Sequence, residues 1–232
     1  MSYNIAVDGP AGAGKSTISK AVAKKLGFIY VDTGAMYRAI ALYFLEHPGN
    51  MADGQALEKS LENIQVQIQY EAGAQRVILN GQDVTEKLRK EEVGNMASRI
   101  SAKGAVRKKL LSLQRGLAAS ADVVMDGRDI GTTVLPDADV KIYLTAGAHV
   151  RASRRYLELT QKGETADIQQ IEQDIRKRDE QDMHREISPL RQAEDAVLVD
   201  SSDMSIPEVI DRIVAIYREK TGQEDSDGSI VG

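Results

Sequence analysis

Lys15 and Ser16, at the end of a run of glycines, are the residues whose type and spacing point most directly to chemistry. The run Gly9-Pro10-Ala11-Gly12-Ala13-Gly14-Lys15-Ser16-Thr17 fits the pattern of a glycine, four free positions and then Gly-Lys-Ser. In such a loop successive backbone N–H groups converge on an anion. Glycine is needed where the chain takes positive φ and must approach a phosphate with no Cβ between. Lys15 would reach the β- and γ-phosphates of a nucleoside triphosphate, and the Ser16 hydroxyl would ligate Mg²⁺. A Gly-rich turn that merely caps a helix is the plain alternative. It is disfavoured because a β-prone run, Tyr3–Asp8, precedes the loop and a helical pattern (Ile18, Val22, Leu26), ending at Gly27, follows it. That context aims the positive end of a helix dipole at the same point.

A second set of charged residues sits at two other predicted strand ends. Asp32-Thr33-Gly34-Ala35-Met36-Tyr37-Arg38 and Asp126-Gly127-Arg128-Asp129-Ile130-Gly131-Thr132 each follow a short apolar run. In open parallel sheets ligands lie beyond the carboxyl ends of the strands, so both segments should face the crevice that holds the phosphate loop. Arg38 and Arg128 are thus placed to hold an anion through bidentate guanidinium contacts. Pairing with Asp32, Asp126 and Asp129 is the bland alternative, and some of it is expected without ligand. Asp126 ends the Val123-Val124-Met125 run, where a carboxylate would support Mg²⁺ directly or through water.

The elements that must carry these residues alternate. Tyr3–Asp8, Ile29–Asp32, Asp122–Asp126, Val140–Leu144 and Ala196–Asp200 are mostly continuous apolar runs, as in strands covered on both faces. Helical patterns lie between and after them at Ser16–Leu26, Ala35–Leu45, Gly104–Ser120, Ala148–Lys162 and Ser205–Lys220. The expected fold is α/β, a doubly wound five-stranded parallel sheet in a single phosphate-loop domain over 1–221. Two segments interrupt it. Within 63–102, Val66, Ile68 and Tyr70 alternate with polar residues, Glu71–Gln75 turns, Arg76–Leu79 returns and a helix follows near Glu91–Ser101. From Gly163 to Ala193 the chain is polar and charge-dense, which alone suggests a solvated helix face. Residues 222–232 are expected to be a disordered tail.

Composition excludes several classes. There is no cysteine, hence no disulfide framework, thiolate metal site or cysteine nucleophile. His47, His149 and His184 lack metal-ligand spacing. No apolar run approaches the ~20 residues needed to cross a bilayer, and no signal peptide opens the chain. A formal net charge of −5 argues against general nucleic-acid or membrane-surface binding. A cytoplasmic monomer is expected.

These motifs invite comparison with a known family. The chain resembles the bacterial cytidylate kinases from Tyr3 to about Tyr217, through Asp8–Ser16, Asp32–Arg38, Asp126–Thr132 and Arg178-Asp179-Glu180-Gln181-Asp182. The glycine loop is shared by many kinases; the second and third motifs, with the long insert, are more specific. The resemblance implies transfer of the γ-phosphoryl group of ATP to CMP or dCMP, with Mg²⁺. It implies that Arg38, Arg128 and Arg185 surround the acceptor phosphate, that Ser98, Arg107 and Asp129 line a cytosine pocket, and that Arg178 and Asp182 approach the pentose. Thr33, where many relatives carry Ser, would sit near the nucleotide. Residues 163–193 would be a lid over ATP, with Arg151 and Arg155, one helical turn apart, contacting adenine and phosphate. A carboxylate suits the cytosine amino group, and Arg107 suits its ring acceptors. Other acceptors (AMP, UMP, shikimate) define the nearest rival readings. A GTP-binding switch is opposed by the absence of Asn-Lys-x-Asp, and a nucleic-acid machine by the acidic charge.

Overall fold

The computed structural model describes residues 2–49 and 53–223. β1 (Asn4–Asp8) runs into the glycine loop and α1 (Lys15–Leu26), followed by β2 (Ile29–Asp32) and α2 (Thr33–Glu46). Next come α3 (Gly54–Glu62), the hairpin of β3 (Val66–Glu71) and β4 (Ala74–Leu79), the two-residue β5 (Gln82–Asp83) and α4 (Glu91–Ile100). α5 (Gly104–Ser120) leads back to β6 (Val123–Gly127), then β7 (Val140–Thr145), α6 (Ala148–Gln161), α7 (Ile168–His184), β8 (Val197–Asp200) and α8 (Ile206–Thr221).

The five expected core strands form one sheet in the order β2-β6-β1-β7-β8, every pairing parallel. β1 lies at the centre; the chain goes first to the edge strand β2, returns to β6 between the two, and then continues on the other side through β7 and β8. That makes the carboxyl end of β1 the switch point where a ligand crevice opens. Register decides which side chains meet there: Asp8 lies beside Gly127, and Asp126 beside Asp32. Alternate strand residues enter opposite faces. Ala6, Val31, Val123 and Met125 pack with α2 and α5 residues such as Met36, Ile40 and Leu110. Ile5, Val7, Val124 and Ile142 pack with Ile18 and Val22 of α1 and Ile213 of α8. Each such side chain, fully buried, contributes about 1.5–3 kcal/mol, so the sheet is the rigid part.

The insert is longer than the periodicity predicts. α3 adds a helix at its start, N-capped by Asp53 and burying only Leu57 and Leu61. The turn is tighter too: Ala72 (φ 48°) and Gly73 (φ 74°) form a two-residue connection with both central φ values positive. The hairpin docks on the free edge of β2 through polar side chains. Gln75 Oε1 accepts the Asp32 N–H at 2.9 Å, its Nε2 donates to the Asp32 carbonyl at 3.2 Å, and the Tyr70 hydroxyl donates to the Tyr30 carbonyl at 3.2 Å. The polar segment after Gly163 is a true helix, α7, capped by Asp167 and burying Asp179 and Asp182 rather than apolar residues. Gly222 (φ 68°) closes α8, and the expected disordered tail beyond it lies, from 224 onward, outside the described residues. Among the described residues no helix is long and apolar enough to cross a membrane.

Candidate active site

The donor side is built by the β1–α1 turn. Gly9 is dictated by approach: with φ 151°, a Cβ there would lie 1.9 Å from the Leu144 carbonyl oxygen. Gly12 and Gly14 also hold positive φ, 74° and 83°, which turns the loop into the N-terminus of α1. Lys15 is buried and bends back on the loop, its Nζ donating to the carbonyls of Gly9 at 2.8 Å and Pro10 at 2.7 Å. Burial, and next the Arg128 charge, depress its pKa well below the usual lysine value. The Ser16 hydroxyl donates to Asp126 Oδ2 at 2.9 Å, the Tyr30 hydroxyl to Oδ1 at 3.2 Å, and the Thr33 hydroxyl to the Asp126 carbonyl at 2.7 Å. Burial, then the neighbouring Asp32 charge, raise the Asp126 carboxyl far above the usual range.

Those donors suit Mg²⁺ only in part. No group of three or more His, Cys, Asp or Glu side chains able to hold a metal occurs among the described residues. Ser16 and Asp126 supply two hard oxygens, which fits an ion arriving with the triphosphate and completing its octahedron with phosphate and water.

The acceptor side is a cluster of guanidinium groups. Arg128 follows β6 and donates from Nε to Asp182 Oδ2 at 2.8 Å. Arg178, one helical turn before Asp182, has its Nε buried without a partner. Its pKa is lowered first by burial and then by the Arg128 charge, with Arg38 adding to it, while the Asp182 and Asp179 carboxylates pull the other way. Asp129 is gripped twice: Arg107 Nη2 bonds its Oδ2, and Arg185 Nη2 lies 3.3 Å from its Oδ1. Arg107 also donates to the Ser101 carbonyl at 3.2 Å and lies over the Tyr37 ring, 5.6 Å from its centroid. Tyr37, Arg107, Leu111, Gln114 and Asp129 line a cleft of about 200 Å³. Ser98 stands half-buried on α4, its carbonyl accepting from the Ser101 hydroxyl at 2.9 Å.

Most of the residues marked by the sequence thus meet at one end of the sheet. The lid arginines divide. Arg151 is buried and wholly engaged by protein, donating to Ala146 O (2.8 Å), to Ala11 O of the phosphate loop (2.8 Å) and to Asp179 Oδ2 (2.7 Å). Arg155 is not brought into the cluster; it is half exposed and paired with Glu158 at 2.8 Å. The Thr33 hydroxyl donates to the Asp126 carbonyl. Asp8 and Asp179 stand in the quoted motifs without an assigned role, and nothing in the sequence singles out Tyr30. Asp8 had a signal, an acidic residue closing an apolar strand, and it accepts the N–H groups of Ile130 and Gly131 at 2.8 and 2.7 Å.

A central β1, a glycine loop opening α1 and arginines ringing the strand ends define a nucleotide-dependent kinase of the phosphate-loop class. The cytidylate kinase family model matches residues 5–219, and the chain belongs to that family. A cytidylate kinase of Caldicellulosiruptor saccharolyticus is 51% identical over 221 residues, covering 95% of this chain and 98% of that protein. A cytidylate kinase of Shouchella clausii is 47% identical, with the same 95% and 98% coverage.

Proposed function

We propose that this protein transfers the γ-phosphoryl group of ATP to CMP or dCMP, releasing ADP and CDP or dCDP. The observation that carries the reading is the buried Arg178 Nε, left without a partner where the Arg128 and Arg38 charges also act. Asp129 and Arg107 line a cleft. An unsatisfied guanidinium N–H among arginines suits a phosphorylated ligand, and a carboxylate–guanidinium pair suits a cytosine edge. Cytosine offers an amino donor to Asp129 and acceptors to Arg107. Uracil would present an acceptor to the carboxylate and an N–H to the arginine.

An acceptor phosphate oxygen attacks the γ-phosphorus while the bond from that phosphorus to the β-bridging oxygen breaks, leaving the charge on ADP. The nucleophile is already anionic, so no dedicated base is needed; the residues position and neutralise. Lys15 would leave the Gly9 and Pro10 carbonyls for the β- and γ-phosphates. Arg38, Arg128 and Arg185 would hold the acceptor in line, and Arg178 and Asp182 would take the pentose. Bound beside Ser16 and Asp126, Mg²⁺ would offset charge on the β- and γ-phosphates. α6, α7 and the following loop would form the lid, with Arg151 fixing the phosphate loop from behind.

The test is ADP formation from MgATP with CMP, dCMP, UMP, AMP and shikimate offered separately. Turnover with CMP and dCMP, and little with the others or with none, is expected. Equal ATP splitting without acceptor, or preference for AMP or shikimate, would overturn the proposal.

A further inference from the structure

Asp8 belongs by sequence to the donor motif, yet its carboxylate serves the other substrate's loop. Both oxygens are taken by backbone: Oδ1 accepts the Ile130 N–H at 2.8 Å and Oδ2 the Gly131 N–H at 2.7 Å. Those N–H groups open the short helical turn Ile130–Val134, whose own N-cap residue is Asp129. An aspartate at that place ordinarily caps its own turn by accepting from the N–H of the second or third residue after it, here Gly131 or Thr132. Asp129 makes no such side-chain cap. Its oxygens go to Arg107 and Arg185 instead.

We infer that Asp8 is a positioning residue for the acceptor nucleotide: by capping the Ile130–Val134 turn from the neighbouring strand, it frees the Asp129 carboxylate to hold Arg107 and Arg185 and to read the base. The inference rests on the cytidylate-phosphorylating reading given above. The division of labour is enforced by register, because Asp8 pairs with Gly127 and so stands level with the start of this loop. Asp8 is buried and makes no salt bridge among the described residues, and burial lifts its pKa to about 6 against the opposing pull of the two N–H groups and of the Lys15 charge. A carboxylate kept there at such cost has a job that an apolar residue could not do.

Without Asp8 the Gly131 N–H needs another acceptor, and Asp129, its N-cap residue, is the nearest by sequence. Swinging back to cap it, Asp129 would release both arginines from the base pocket. The experiment is Asp8→Asn, whose amide satisfies one N–H and opposes the other. Steady-state kinetics with CMP and with UMP are read beside the equilibrium dissociation constant of MgATP. The expected result is a KM for CMP raised at least tenfold, a CMP-over-UMP preference in kcat/KM reduced at least tenfold, and a loss of MgATP affinity several-fold smaller than the loss for CMP. Unchanged CMP parameters, or equal losses for ATP and CMP with the base preference intact, would overturn the inference, the latter marking a merely structural role. Should Asp8→Asn fail to fold, amide hydrogen exchange of the wild-type protein decides: Ile130 and Gly131 are expected to be protected, and rapid exchange at both would overturn the cap. Wild-type protein that does not phosphorylate CMP would instead refute the functional reading itself.

Discussion

Almost every cation at the strand ends already has an internal partner. Lys15 holds two carbonyls, Arg128 holds Asp182, and Arg107 and Arg185 share Asp129. Substrate phosphates therefore compete with protein oxygens for these groups, and the residues that switch are the ones whose loss costs rate rather than fold. Arg128, 22% exposed at its side chain, is such a residue. Arg128→Ala should lower turnover at least a hundredfold, about 3 kcal/mol of transition-state stabilisation, in a protein that still folds but melts lower because the buried Asp182 carboxylate loses its partner. Near-normal turnover in the folded variant would reject its role. Asp8 offers a pH test with a defined sign. Its carboxyl titrates near 6 in the fold against an ordinary 3.8. Between those values the folded state keeps a proton that the unfolded chain has lost, so this group lowers stability as pH rises through the window, and above about 6 its full penalty is present. The melting temperature of Asp8→Asn relative to wild type should therefore climb between pH 4 and pH 7; a flat or falling difference rules this out. The site residues legible in the sequence are those whose spacing is local, the glycine loop and the strand-end arginines. Arg155 is not legible, because its helical spacing from Arg151 says nothing of Glu158, which claims it. Nor is the Thr33 hydroxyl, whose direction depends on the carbonyl of Asp126 across the sheet.

Among the elements, α7 does most to join the two sides. Its buried residues are carboxylates one turn apart: Asp179 holds Arg151, and so the phosphate loop through Ala11, while Asp182 holds Arg128 on the acceptor loop. The Arg151–Asp179 pair is only 6% and 12% exposed, whereas Arg155–Glu158 is 50% exposed on each side. Removing one partner of a buried pair strands the other charge away from water, and removing one partner of an exposed pair does not. Asp179→Ala should thus cost about 3–5 kcal/mol of unfolding free energy, and Glu158→Ala less than about 1 kcal/mol, both measured by urea denaturation. Equal effects would deny α7 its bridging part. The same chemistry explains what sequence reading misses. The five core strands and their helices are legible because burial on both faces demands continuous apolar runs. α7 looked like a solvated face because its inward residues are charged, and α3 escaped because Leu57 and Leu61 alone point inward.

At the scale of the whole molecule, apolar burial and polar latching are separated in space. The sheet with α1, α2, α5 and α8 is held by two large apolar clusters. α7 meets the strand-end loops through the Arg151–Asp179 and Arg128–Asp182 pairs, and the hairpin meets the edge of β2 through Gln75 and Tyr70. Exchanging those polar contacts for substrate contacts costs little, while moving the sheet would open a close-packed core. Closure also has a chemical purpose, since water left beside the γ-phosphate would waste ATP. Because α7 bridges the donor and acceptor sides, each substrate should make ordering of the lid easier for the other. Hydrogen–deuterium exchange with CMP alone, with a non-hydrolysable ATP analogue alone and with both should accordingly show protection of 168–192 and 128–134 that exceeds the sum of the single additions. Peptides from β1, β6 and β7 should stay protected throughout. Strictly additive protection would mean that the two sites fill independently, and that α7 ties the loops together without transmitting the arrival of either nucleotide.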